Sequence, residues 1–213
     1  TPKVYILFLL VAAGTSIALA HYARQRHAAP GAIAFAILML AVAGWSVGYA
    51  LELGVSDIAA KIFWAKVQYL GIVAVPLAWV AFALPYTRRE QWLTPRHLAL
   101  LAIIPLVTLA LVWTNEIHGL IWSRSSLDIS GPFPALEVTY GPWFWVHSVY
   151  SYLLLFLGTL WFILMLLRSP QLYRHQASAL LLVVLAPWVG NALYLSGLGP
   201  VPNLDLTPFA FAI

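Results

Sequence analysis

Long apolar runs alternate with short polar segments along the whole chain. An α-helix rises 1.5 Å per residue, so about 20 apolar residues cross the hydrocarbon core of a bilayer. On that ruler the runs fall at roughly 4–21, 32–51, 58–84, 97–113, 143–167 and 177–195, and a seventh starts at Pro208. This pattern predicts an all-α membrane protein, a bundle of seven transmembrane helices. The seventh run is cut at Ile213, where six residues reach only about 9 Å, so a continuation is expected. The first run is too long for a signal peptide and lacks its small-residue cleavage site; it is read as a retained helix.

The polar segments divide by charge. Arg24 and Arg26, then Arg88, Arg89 and Arg96, then Arg168 and Arg174 fill one set of alternating loops, and Glu52, Asp57, Glu116, Asp128, Glu137 and Asp205 fill the other. Lys and Arg are retained on the cytoplasmic side. The expected orientation therefore has the N-terminus outside and the seventh helix leaving into the cytoplasm.

One connection on the acidic side is long, 114–142. Long loops are uncommon and usually structured or functional. Segments 120–123 and 136–140 are β-prone and flank Ser130-Gly131-Pro132. They predict a short β-hairpin over the outer mouth of the bundle. A faint repeat relates Trp45 to Leu53 with Trp188 to Leu195, each after an Arg-His pair. Two apolar helices also resemble each other by chance.

Composition narrows the function classes. The chain is 62% hydrophobic and 8% charged, against about 25% charged in soluble domains, so no sizeable soluble domain fits. The net charge of +4 comes from loop residues rather than a basic stripe with interleaved aromatics, which argues against nucleic-acid binding. With no cysteine, disulfides, thiol catalysis and Cys-ligated metal sites are excluded. No His-Glu-x-x-His, Gly-x-Ser-x-Gly or phosphate-loop motif occurs, and no cofactor is implied. A retinal protein needs a lysine inside a helix, usually the last. Lys66, in the third run, is the only lysine read as buried.

Polar groups at membrane depth are costly and call for a functional hypothesis. Glu52 shares a helix face with Gly48 and Trp45. Lys66 lies about two turns inside the third run beside Trp64 and Gln68. Trp143, His147 and Tyr150 share a face of the fifth run. Asn191 stands four residues after Pro187, and Asp205 precedes the last run as a potential N-cap. All lie toward the outer side. Glu52, Lys66, Gln68, Trp143, His147, Tyr150, Asn191 and Asp205 are the expected lining of an outward-facing pocket with aromatic walls. The plainer reading is that Trp and Tyr anchor the helices at the interface, that Glu52 pairs with Lys66, and that His147 is a hydrogen-bonded structural residue. Gly44 and Gly48 permit close helix packing within the bundle. Pro76, Pro105 and Pro187 are expected to bend their helices.

Several of these residues recur in a known order. Trp45-Ser46-x-Gly48-Tyr49-x-x-Glu52, Phe63-Trp64-Ala65-Lys66-x-Gln68-Tyr69-x-Gly71 and Pro76-x-x-Trp79 come first. Trp113-Thr114-Asn115-x-x-His118-x-x-x-Trp122 and Tyr140-Gly141-Pro142-x-Phe144-x-x-His147 follow. Pro187-Trp188-x-Gly190-Asn191 and Leu204-Asp205-x-Thr207-Pro208 close the series. In these motifs the chain resembles the seven-helix N-terminal sensor region of bacterial histidine kinases, over nearly its whole length. The resemblance implies a multi-pass protein of the bacterial inner membrane whose last helix feeds cytoplasmic modules, often a PAS domain and a histidine kinase, sometimes a diguanylate cyclase. The sequence holds no phospho-accepting His helix and no ATP-binding domain, so kinase activity is not expected of these residues.

The expected function is signal reception, with a small amphiphilic or anionic ligand paired to Lys66. A homodimer or other membrane subunits are possible partners besides the bilayer. The alternative is a non-catalytic accessory or structural subunit of a larger membrane complex. A transporter would need polar residues reaching the midplane, whereas here they gather toward one end.

Overall fold

The computed structural model describes residues 2–129 and 133–168, with Val189, Asn191 and Thr207. The sixth and seventh apolar runs, Asp205 and Pro187 otherwise lie outside the described residues. Helices α1 (Lys3–Gln25), α2 (Ala32–Gly54), α3 (Ile58–Tyr86) and α4 (Pro95–Trp113) are followed by one turn of helix, α5 (Asn115–His118). Strands β1 (Trp122–Asp128) and β2 (Ala135–Tyr140) then lead to α6 (Pro142–Arg168). Among the described residues, α1, α2, α3, α4 and α6 are long and apolar enough to cross a membrane.

Each helix starts and stops for local reasons. Asp57 caps α3 by accepting from Ala60 N at 2.9 Å. Thr94 accepts from His97 N at 3.2 Å, and Pro95 takes the first helical position, where its missing N–H costs nothing. That cap starts α4 two residues before its apolar run. The last turn of α3 closes through Arg88, in the left-handed region at φ 59°, with Arg89 N donating to Leu84 O at 2.7 Å. α3 and α4 run unbroken through Pro76 and Pro105.

The packing is graded. α1 buries Leu9, Ala12, Ala13, Ser16, Ala20 and Ala23, a one-sided stripe of small residues that lets it lie close against α2. α3 is the central element and contacts α2, α4 and α6. A Cβ at Gly71 would run into Ala41 O of α2, and one at Gly158 into the Trp79 indole. Gly48 sits directly against Gln68, whereas Gly44 meets nothing within 4 Å, so only one glycine of the expected pair serves helix approach. Between α3 and α6, Trp79 stacks on Phe162 at 5.2 Å and its Nε1 donates to Leu155 O at 3.2 Å. α4 buries only Pro105, Thr108 and Val112, one stripe facing the bundle.

The expected hairpin is present. β1 and β2 pair antiparallel from Trp122 opposite Tyr140 to Asp128 opposite Ala135, with a bulge at Ser123. β1 begins and ends later than the predicted 120–123. It is rich in Ser, Arg and Asp, and shows no alternation from which its length is read. Ile121, Trp122 and Leu136 pack onto Ala65, Tyr69, Val73 and Val112 of α3 and α4. Phe133 packs onto Leu9, Tyr49, Ala50 and Leu53 of α1 and α2. The hairpin thus lies across both flanks of α3 at one end of the bundle.

Candidate functional site

Glu52, Lys61, Lys66, Gln68, Thr108 and His147 lie toward the hairpin ends of their helices, in groups on different faces of the bundle. The first joins α2 to α3. Side chains lean toward the N-terminus of their helix, so in this antiparallel pair Glu52 leans down from α2 as Gln68 leans up from α3. Gln68 Nε2 donates to Glu52 Oε2 at 2.5 Å. Beside them Lys61, fully buried, donates from Nζ to Glu52 O at 2.8 Å. That carbonyl belongs to the last turn of α2, where backbone acceptors lack helical partners and a cation suits the negative helix end. Lys61 therefore corrects the reading of Lys66 as the only buried lysine.

The second group reaches from α3 to the loop. Lys66 Nζ donates to Glu116 Oε1 at 2.5 Å, not to Glu52. This hydrogen bond, with the Lys66 charge, holds the Glu116 carboxyl below the usual carboxylate range. The Lys66 ammonium also lies 6.0 Å from the Trp113 ring. The neighbouring Asn115 secures the loop: its Oδ1 accepts from Ile121 N at 3.0 Å and Trp122 N at 3.1 Å, and its Nδ2 donates to Trp122 O at 3.0 Å.

The third group lies between α4 and α6. Thr108 Oγ1 donates to Ile104 O at 2.8 Å and accepts from Trp143 Nε1 at 3.0 Å. His147 Nδ1 is 3.5 Å from the same hydroxyl, and its Nε2 is 3.3 Å from Ser151 Oγ. The single hydroxyl proton of Thr108 is committed to Ile104, so this arrangement puts the ring proton on Nδ1 and leaves Nε2 to accept from Ser151. The rings of Tyr69 and Tyr150 flank the imidazole, each centred 6.4 Å away, and Tyr150 donates to Leu101 O at 2.6 Å.

The residues of all three groups fall within a single family match, which begins in the first turns of α1. Residues 8–213 match the family model of the N-terminal 7TM region of histidine kinase. The chain belongs to this family. It is thus a histidine kinase 7TM sensor region, a multi-pass protein of a lipid bilayer. No curated protein and no solved structure matches it.

Of the sensor region's expected lining, the structure brings Glu52 to Gln68, and Trp143 and His147 to the same Thr108 hydroxyl, with Tyr150 beside the imidazole. Lys66 stands apart with Glu116. Asn191 accepts a hydrogen bond from Tyr152 OH and donates from Nδ2 to Thr207 Oγ1 at 3.1 Å. Asp205 lies outside the described residues. An open depression of about 540 Å³ lies at the other end of α4, lined by Thr94, Pro95, Arg96 and His97; it touches none of these groups. Sequence reasoning missed Lys61, Tyr69, Thr108 and Ser151. Thr108 had a signal, because it is the one hydroxyl in the aliphatic stretch 98–113. Glu116 had one too, as the acid that follows α4 most closely.

Proposed function

We propose that this chain receives signals for a histidine-kinase-type protein of the bacterial inner membrane. Seven helices cross the bilayer with the N-terminus outside, and the last carries the signal inward. A small amphiphilic or anionic ligand reaches the hairpin end and engages side chains among Glu52, Lys66, Gln68, Trp143, His147, Tyr150, Asn191 and Asp205. One observation supports this most: the hydrogen-bonded side chains of α2, α3, α4 and α6 gather under a hairpin that packs on both flanks of α3. A ligand there meets groups from most of the bundle at once. It shifts the bundle only through different affinity for two packings, and rearranging these hydrogen bonds is the means.

The test is hydrogen exchange of the chain in lipid nanodiscs, with ten-carbon amphiphiles bearing anionic, neutral and cationic heads. At least one is expected to change exchange in 114–142 and the first turns of α6, and Thr108→Val is expected to weaken that change. If no amphiphile alters exchange there, the reading fails, and an accessory or structural subunit of a larger membrane complex takes its place.

A further inference from the structure

The Lys66–Glu116 pair is lopsided. The Lys66 side chain is 10% exposed and that of Glu116 65%. Lys66 stands eight residues, about 12 Å, inside α3. Folding has removed the cation from water, and a buried charge without a counter-charge is strongly unfavourable, so an anion must stand beside it. The anion now there is held on one turn of helix and is already largely hydrated. Swinging it into water costs little when another anion takes its place, because Lys66 stays paired and the freed carboxylate is fully hydrated. The seat is fixed by the lysine, and its occupant is exchangeable.

The surroundings of the seat are apolar and open. Phe63 meets the Trp113 ring edge-on at 6.1 Å and Trp64 at 5.3 Å. Phe63 and Trp113 are about half exposed, and Ile117, next to Glu116, is 85% exposed. A cation bordered by exposed aromatic and aliphatic surface matches a molecule with an anionic head and an aliphatic tail.

We propose that Lys66 and the Phe63–Trp113 face form an exchange site for the anionic head of an amphiphile, which enters between the hairpin ends of α3 and α4 and replaces the Glu116 carboxylate. This rests on the sensor reading and gives it a ligand class. Displacing Glu116 loosens α5, and Asn115 of that same turn holds the backbone leading into β1. Head-group binding is thereby passed to the hairpin. A lipid phosphate and a fatty-acid carboxylate offer Lys66 the same chemistry, and two lipid compositions separate them.

The experiment is equilibrium dialysis of radiolabelled decanoate against the chain in phosphatidylcholine nanodiscs at neutral pH, with decyltrimethylammonium as the cationic counterpart. Decanoate is expected to bind in preference to the cation. Glu116→Gln removes the internal competitor and tightens binding by roughly threefold to tenfold. Lys66→Met abolishes it, while Lys66→Arg keeps the charge and retains it, which separates loss of the site from loss of the fold. In discs containing phosphatidylglycerol, reduced decanoate binding by the wild type marks the bilayer lipid as the occupant, and unchanged binding marks a free amphiphile. Equal decanoate binding by wild type, Glu116→Gln and Lys66→Met overturns the site. If that occurs while amphiphiles still alter exchange around His147, the sensor reading survives without this site. If Lys66 binds decanoate as described while no amphiphile changes exchange in 114–142 or the first turns of α6, the site stands and the sensor reading falls.

Discussion

Thr108 organises one flank of the bundle with a single hydroxyl, donating to its own helix and accepting from the indole of α6. Valine has nearly the same shape but leaves the Trp143 N–H without that partner. Thr108→Val is expected to cost about 1–3 kcal/mol, the usual penalty for stranding a buried donor, read as a lower denaturation midpoint in detergent or nanodiscs; Thr108→Ser should recover much of it. Glu116 gives a residue-scale prediction in pH. Its carboxyl is held low in the folded chain, so its contribution is complete above the ordinary carboxylate range and is lost as pH falls through the depressed value. Acidification below that range should lower the protection of amides in 115–128 relative to their intrinsic exchange rates, and Glu116→Gln should show the lowered protection already at neutral pH. The chemical type of these residues was legible in the sequence, but their partners were not. Lys66 announced a need for a counter-charge, and nothing in the spacing distinguished Glu52, on the adjacent helix, from Glu116, fifty residues away.

At the scale of elements, hydrophobic run length located the helices well and their ends less well. α1 continues from the predicted His21 to Gln25, because a helix keeps its backbone bonds beyond the hydrocarbon core, through the polar residues of the interface. The start of α4 was encoded in Thr94 and Pro95 rather than in hydrophobicity. The hairpin was legible from its turn residues and from β2, whereas β1 takes its length from its partner strand. The α2–α3 contact depends on Gly71, where a methyl group would press on Ala41 O and the Trp45 side chain. Gly71→Ala must part these helices and is expected to destabilise by about 1–3 kcal/mol, as overpacking does. Gly44→Ala, with nothing within 4 Å, should leave the melting temperature nearly unchanged. Comparing the two by thermal denaturation checks the assignment.

At the scale of the whole molecule, the Lys/Arg imbalance predicts which end faces the cytoplasm. The chain has no cysteine, so a single introduced thiol is a clean reporter. In intact cells Ile129→Cys, exposed just past the end of β1, should react with a membrane-impermeant maleimide. Gln91→Cys, between α3 and α4, should react only after the membrane is opened; the reverse result would invert the topology. The gathering of polar groups toward one end was readable from run boundaries alone. Their division into separate groups was not, because it depends on which face of α3 each neighbour occupies.

The central place of α3 has a consequence for sequence variation. Fourteen of its 29 residues are buried, against three of 19 in α4. A saturation library read out by folded yield should therefore find α4 permissive, accepting most apolar replacements away from Pro105, Thr108 and Val112. The stretch from Lys61 to Leu84 should reject substitutions on nearly every side. Innovation in this protein, by drift or by design, has room on its outer helices and very little along its spine.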